Sequence, residues 1–134
     1  MPNSKPLVVT VDDEKFILEL YHDTLEELCD VVTFSDSREA YQYIIEHQVA
    51  LVILDRKMPY LSGDDLCRKL REYPTSKSVP IMMISSLDDI DDITNLMKDN
   101  VIDTYLIKPS MPDRIYEHVA SYLKQAEEKE EEKQ

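Results

Sequence analysis

The chain predicts an α/β fold, a doubly wound parallel sheet covered by helices on both faces. Three observations lead there. Five short apolar runs alternate strictly with five stretches of helical periodicity, the pattern of repeated βα units. The run Ala50-Leu51-Val52-Ile53-Leu54 is apolar without alternation, as in a strand buried on both faces. Right-handed crossovers between parallel strands then leave the doubly wound arrangement as the natural one, with every strand's carboxyl end on one edge.

Taken in order, Leu7–Val11 is the first strand and ends at Asp12-Asp13. Glu14 to Leu28 is the first helix, with Ile17, Tyr21, Thr24, Leu25 and Leu28 on its inner face. Val31–Phe34 is a short second strand. Asp36 followed by Glu39 fits a capping box that opens a helix packed through Ala40, Tyr43, Ile44 and His47. The third strand ends at Asp55, with Pro59 four positions later. Ser62 and Asp65 cap a third helix, buried through Leu66, Cys67, Leu70 and Tyr73. After the polar loop Pro74–Ser78, Val79–Ser85 is the fourth strand, with Pro80 tolerable near its start. Asp88 to Asn100 is the fourth helix, with Ile90, Ile93 and Met97 on one face and Asn100 in a left-handed C-terminal position. Thr104–Ile107 is the fifth strand and leads into Lys108-Pro109. Ser110 and Asp113 cap the last helix, packed through Ile115, Val119, Tyr122 and Leu123. Residues 1–124 thus form a single domain. Residues 125–134 are an acidic tail without an apolar face, either a helix extension or disordered.

Composition narrows the function. The chain has 134 residues, 43% hydrophobic and 32% charged, which suits a soluble globular domain. No apolar run approaches a membrane span and Met1–Pro6 has no apolar signal core, so the expectation is a cytoplasmic protein with no membrane association. The net charge is −13. Five Glu and two Lys in the tail give −3, so the body keeps −10. With no basic stripe and no zinc-finger spacing, nucleic acid is not an expected partner. Cys29 and Cys67 have no metal-like spacing and read as small buried thiols.

The strand ends carry the chemistry. Taken alone, Asp55 has a bland reading as a turn cap. But the first strand delivers Asp12 and Asp13, the third Asp55, the fourth Ser85 and the fifth Lys108 to the same edge. Three crowded carboxylates repel one another unless a cation sits among them, and their hard oxygens suit Mg²⁺. Asp55 then serves as a nucleophile that accepts a phosphoryl group, Lys108 pairs with a second phosphoryl oxygen, and the Ser85 hydroxyl donates to a third.

On these residues the chain resembles a response regulator receiver domain of two-component phosphorelay signalling, similar to CheY. The matching residues are Val11-Asp12-Asp13, Leu54-Asp55 with Met58-Pro59 and Gly63, Ser85-Ser86, and Tyr105 with Lys108-Pro109, and the match covers about residues 7–124. The resemblance implies a flavodoxin-like (βα)5 fold with strand order 2-1-3-4-5. It implies that Asp55 is the phosphoacceptor, that Asp12, Asp13, Asp55 and the Lys57 backbone carbonyl hold Mg²⁺, and that Lys108 faces the phosphate. Ser85 and Tyr105 are the implied switch pair, and Lys108-Pro109 is expected to be cis. The donor is a histidine kinase or histidine phosphotransfer protein. The receiving face for a downstream target comprises the fourth helix, fifth strand and fifth helix. With no output domain in view, the expectation is a stand-alone receiver or phosphate relay, not an enzyme acting on outside substrates. Departures are Ser at position 85 where Thr is more usual, Asn100–Asp103 without the usual Gly-Ala, and Lys57, long and cationic where it can reach the mouth of the site.

Two other classes compete. One is a pseudo-receiver, an interaction module that takes no phosphate. The other is an Asp-nucleophile phosphohydrolase of the haloacid-dehalogenase type, disfavoured because its second Asp is replaced by Lys57. A nucleotide-binding loop cannot be built around the single glycine, Gly63. His22, His47 and His118 fall on different helices and read as ordinary helix residues, and the Asp-rich fourth helix as a solvated or partner-facing surface.

Overall fold

The apolar runs pair side by side in a single twisted layer. The structure is a computed structural model that describes residues 5–109 and 111–132. Its strands are β1 (Leu7–Val11), β2 (Asp30–Phe34), β3 (Leu51–Asp55), β4 (Ile81–Ser85) and β5 (Thr104–Ile107). All neighbours are parallel and the order is β2-β1-β3-β4-β5, as expected. The helices are α1 (Lys15–Leu25), α2 (Ser37–Glu46), α3 (Gly63–Glu72), α4 (Ile90–Lys98) and α5 (Pro112–Glu132), with a 3₁₀ turn at Leu87–Asp89 before α4.

The two-residue period of a strand sends alternate side chains to opposite faces. Val52, Leu54, Ile81 and Met83 join Ala40 and Ile44 of α2, Leu66, Cys67 and Leu70 of α3, and Ile93 and Leu96 of α4. Leu51, Ile53, Met82 and Ile84 instead join Tyr21 and Leu25 of α1 with Ile115 and Val119 of α5. Every residue of β3 and β4 is buried, so the central strands cannot shift register without exposing one of the two cores. Each fully buried aliphatic side chain contributes roughly 1.5–3 kcal/mol, which fixes where the polar residues at the strand ends must lie.

Several boundaries differ from the sequence expectation. The first helix stops at Leu25, where the amides of Leu28 and Cys29 both donate to the Leu25 carbonyl and turn the chain into β2. Its buried residues are Leu18, Tyr21 and Leu25. Asp36 caps α2 through the amide of Arg38, and its carboxylate also pairs with the Arg38 side chain, so Glu39 is not part of a capping box. His47 does not face the core: it lies just past α2, exposed, with its ring stacked on Tyr43 at 3.8 Å. Tyr73 likewise ends α3 largely exposed, edge-on to Tyr41. The fourth helix begins as the 3₁₀ turn and buries Ile93 and Leu96, leaving Ile90 and Met97 half-buried. Ser62 caps α3 as expected, Asn100 has φ 59°, and the Lys108–Pro109 peptide is cis. The cap expected from Ser110 lies outside the described residues. α5 continues through residue 132, into the acidic segment.

The unusual turn at Asn100–Asp103 has its own fastening. Arg71 on α3 donates to the carbonyls of Val101 (3.1 Å), Lys77 (3.2 Å) and Val79 (2.6 Å) and to the Asp103 carboxylate (2.9 Å). Asp103 in turn accepts from the Ile81 amide at the start of β4. One guanidinium thereby joins α3 to both segments that enter β4 and β5. Arg71→Ala leaves those carbonyls unpaired and should cost about 2–3 kcal/mol of stability, measured by urea unfolding, with Arg71→Lys recovering only part of the loss.

Candidate functional site

Parallel strands leave their terminal carbonyls and side chains on one edge, and the strand order reverses between β1 and β3, where a crevice opens. Asp12 follows β1 and Asp55 ends β3, so the two carboxylates flank that crevice. The ladder continues past the strands to fix them. The Asp12 amide donates to Phe34, that of Arg56 to Ile84, and that of Lys108 to Ser85. The β3–α3 loop is held close by Gly63, whose amide donates to the Arg56 carbonyl at 2.9 Å. A Cβ on Gly63 would lie 2.6 Å from the Asp55 carbonyl oxygen and 2.8 Å from Arg56 Cα, both backbone atoms that cannot yield cheaply.

Asp12, Asp13 and Asp55 each present a carboxylate oxygen, all within 4.8 Å of one another. Asp12 and Asp55 are buried and Asp13 is exposed, so the trio is open on one side. Asp55 accepts from the Lys57 amide on Oδ1 (3.1 Å) and from Lys108 Nζ on Oδ2 (2.9 Å). Asp12 accepts from the Glu14 amide. Burial foremost, with the charge of Asp55 added, pushes the Asp12 carboxyl up to about 6. Partial burial disfavours the Lys108 ammonium, but its hydrogen bond to Asp55 and the surrounding carboxylates outweigh that and raise its pKa. A cluster of oxygen donors with excess negative charge and an open side has the chemistry a Mg²⁺ ion requires. A second group of candidate ligands, His22, Asp23 and Glu26, is exposed at the end of α1 and lacks such a buried setting.

The remaining predicted residues sit as follows. Ser85, 2% exposed, ends β4, but its hydroxyl donates to Asp89 Oδ2 at 3.1 Å, away from the carboxylate trio. Tyr105 is half-buried on β5 beside Met83 and packs against the α2–α3–α4 core. The Lys57 side chain is exposed, with Nζ 3.9 Å from Asp89 Oδ2.

Sequence reasoning missed Arg56 and Asp89. Arg56 pairs with Asp64 of α3, Asp89 of the 3₁₀ turn and Asp92 of α4, each at 3.0 Å. Asp64 foremost, then Asp92 and Asp89, hold its pKa above the ordinary range. The Asp-rich stretch is therefore not simply solvated surface, since Asp89 and Asp92 turn toward this guanidinium. The one trace of this in the sequence is a basic residue directly after the Asp55 strand, ahead of an Asp-rich stretch.

Comparison with known proteins gives the family. The response regulator receiver domain profile matches residues 8–120. The chain belongs to the response regulator receiver family. The protein named "Probable transcriptional regulator ycf27" of Pyropia yezoensis is 33% identical over 129 residues, spanning 95% of this chain and 51% of that one. The alkaline phosphatase synthesis transcriptional regulatory protein PhoP of Bacillus subtilis is 31% identical over 122 residues, spanning 90% of this chain and 49% of that one. The receiver thus spans about half the length of these curated relatives. The receiver domain of Francisella response regulator 1452 superposes with a TM-score of 0.81 at 28% identity, covering 91% of this chain and 99% of that one. The flavodoxin-like order and the place of the receiver in two-component signalling follow from this membership.

The raised Asp12 carboxyl fixes a sign for pH dependence. Its proton is bound more tightly in the folded receiver than in the unfolded chain, so its unfavourable contribution is absent below the unfolded value of 3.8 and grows as pH rises to about 6. Asp12→Asn should therefore stabilise the metal-free receiver at pH 7 by about 2 kcal/mol and leave stability at pH 4 nearly unchanged. Thermal unfolding at the two pH values checks this, and added Mg²⁺ should narrow the difference by stabilising the native sequence more than the variant.

Proposed function

We propose that Asp55 accepts a phosphoryl group from a phosphohistidine of a histidine kinase or histidine phosphotransfer protein and that the product switches protein contacts. The observation that carries this reading is the buried Asp55 carboxylate, set beside Asp12 and Asp13 with the Lys108 ammonium 2.9 Å from Oδ2. Asp12, Asp13, Asp55 and the Lys57 carbonyl are the residues that would hold Mg²⁺. When bound, the ion neutralises the charge on the phosphoryl oxygens. The chain's own groups do the rest. An Asp55 oxygen attacks phosphorus as the P–N bond to the donor imidazole breaks, with the electron pair leaving on that nitrogen. Lys108, already aimed at Asp55, then pairs with a phosphoryl oxygen, and the Lys57 amide steadies the carbonyl oxygen of the acyl phosphate.

The new dianion draws the Ser85 hydroxyl toward Asp55, and Tyr105 moves inward behind it, changing the surface of α4, β5 and α5. The phosphoryl group shifts an equilibrium between two arrangements. Reaction on the chain itself, formation and loss of the acyl phosphate, is the extent of its catalysis. The relatives' names concern transcription and belong to proteins about twice as long. This receiver, at net charge −13, has the wrong sign to grip DNA phosphates itself. No described helix is long and apolar enough to cross a membrane, and a cytoplasmic place of action fits the reading.

Incubation with Mg²⁺ and acetyl phosphate should add one phosphoryl mass to the intact protein, with none on Asp55→Asn. Lys108→Ala should slow the gain at least about tenfold, as expected for loss of a charge-assisted contact in the transition state. Absence of any mass gain on the native sequence would leave an interaction module that takes no phosphate, and steady turnover of small phosphomonoesters would point to a hydrolase.

A further inference from the structure

The hydroxyl that the phosphoryl group needs already has an owner. Ser85 is 2% exposed, and its Oγ donates to Asp89 Oδ2 at 3.1 Å. The other Asp89 oxygen lies 3.0 Å from Arg56 Nη1. Asp89 and Arg56 are both largely shielded, with side chains 15% and 18% exposed. Arg56 is itself anchored, with Nε on Asp64 of α3 and Nη2 on Asp92 of α4. The order is therefore Ser85, Asp89, Arg56, and then two helices. Arg56 directly follows Asp55, so this chain of contacts runs from the end of β4 to the loop after β3.

We propose that Asp89 is a positioning residue that latches Ser85 away from Asp55 in the resting receiver, with Arg56 as the anchor of the latch. The inference rests on the phosphoacceptor reading and deepens it. A serine hydroxyl has a single proton to donate, so the Asp89 carboxylate and a phosphoryl group on Asp55 compete for it directly. The two acceptors are also both anionic, so a dianion on Asp55 weakens the hold of Asp89 by repulsion as well as by substitution. Once Ser85 turns, Asp89 keeps its ion pair with Arg56 but loses its tie to β4. The 3₁₀ turn and the start of α4 are then held at this edge through Arg56 without the Ser85 tie, and can shift relative to β4. The latch sets how far the resting equilibrium lies from the active arrangement.

The test is a double-mutant cycle on the full chain, read by beryllofluoride affinity in Mg²⁺ and, separately, by amide NMR without either. Removing a charged acceptor that competes for the hydroxyl should tighten beryllofluoride binding by Asp89→Ala about three- to tenfold. In the absence of beryllofluoride and Mg²⁺, the Ser85 and Ser86 amides of that variant should move toward the positions they take in the loaded native protein. In a Ser85→Ala background the affinity gain should vanish, because no hydroxyl remains to compete for. Asp89→Asn, which keeps the shape and loses the charge, should shift both readouts in the same direction by a smaller amount and serves if Asp89→Ala is poorly folded. Unchanged or weaker binding by both Asp89 variants, or an equal gain without the Ser85 hydroxyl, overturns the latch while native binding of beryllofluoride upholds the phosphoacceptor. Failure of the native sequence to bind beryllofluoride overturns both.

Discussion

Like charges held close together at one edge of a buried sheet are the constraint around which this molecule is built. Asp12, Asp13 and Asp55 bring carboxylate oxygens within 4.8 Å, and two of the three residues are buried. Water would separate such groups, but the strands that carry them cannot retreat. β3 is buried at every position and β1 at all but its first, and both supply side chains to two separate cores. The sheet therefore imposes the crowding, and the edge answers it with hydrogen bonds and cations. The Lys57 and Glu14 amides and the Lys108 ammonium each take one carboxylate oxygen. Burial foremost, with the charge of Asp55 added, keeps the Asp12 carboxyl raised, and an added cation would offset both effects.

Two basic residues divide the acidic edge between them. Lys108 serves the trio at β1 and β3, while Arg56 gathers Asp64, Asp89 and Asp92 from α3, the 3₁₀ turn and α4. The choice of side chain suits each task. A flexible ammonium can follow a new oxygen as it arrives, whereas a planar guanidinium holds several carboxylates in fixed directions. Ser85 sits on the boundary, ladder-bonded to Lys108 through its carbonyl and to Asp89 through its hydroxyl.

The five strands and the residues at their ends were readable because each depended on a local signal, while the strand order came with the family resemblance. Apolar runs without alternation locate buried strands, and a polar residue that ends such a run must lie at the sheet edge. Strand β5 was read to the residue for that reason. Helix ends were less legible, since the stop at Leu25 and the 3₁₀ start of α4 depend on how the chain turns back to the next strand. His47 and Tyr73 have core-like spacing but fall at the last turns of α2 and α3, where the helix no longer faces the sheet. Least legible were Arg56, Asp89 and Arg71. Their partners lie 4 to 36 residues away in sequence, and nothing in a charged residue's own neighbourhood says which other group it will meet.

How the helices are held bears on which of them a charge can move. The buried residues of α3 are Gly63, Leu66, Cys67 and Leu70, and those of α1 are Leu18, Tyr21 and Leu25. Displacing either element exposes apolar surface, a cost that a change of charge at the sheet edge does little to offset. α4 buries only Ile93 and Leu96, and its first turn is tied down by Asp92 and the neighbouring Asp89 through Arg56. An element fastened at one end mainly by ion pairs is sensitive to a new anion in a way that a packed helix is not. The same reasoning explains why α4 follows the strand that ends in Ser85. The residue that would meet the phosphoryl group and the helix that would respond are separated by one 3₁₀ turn, and Asp89 of that turn touches both Ser85 and Arg56.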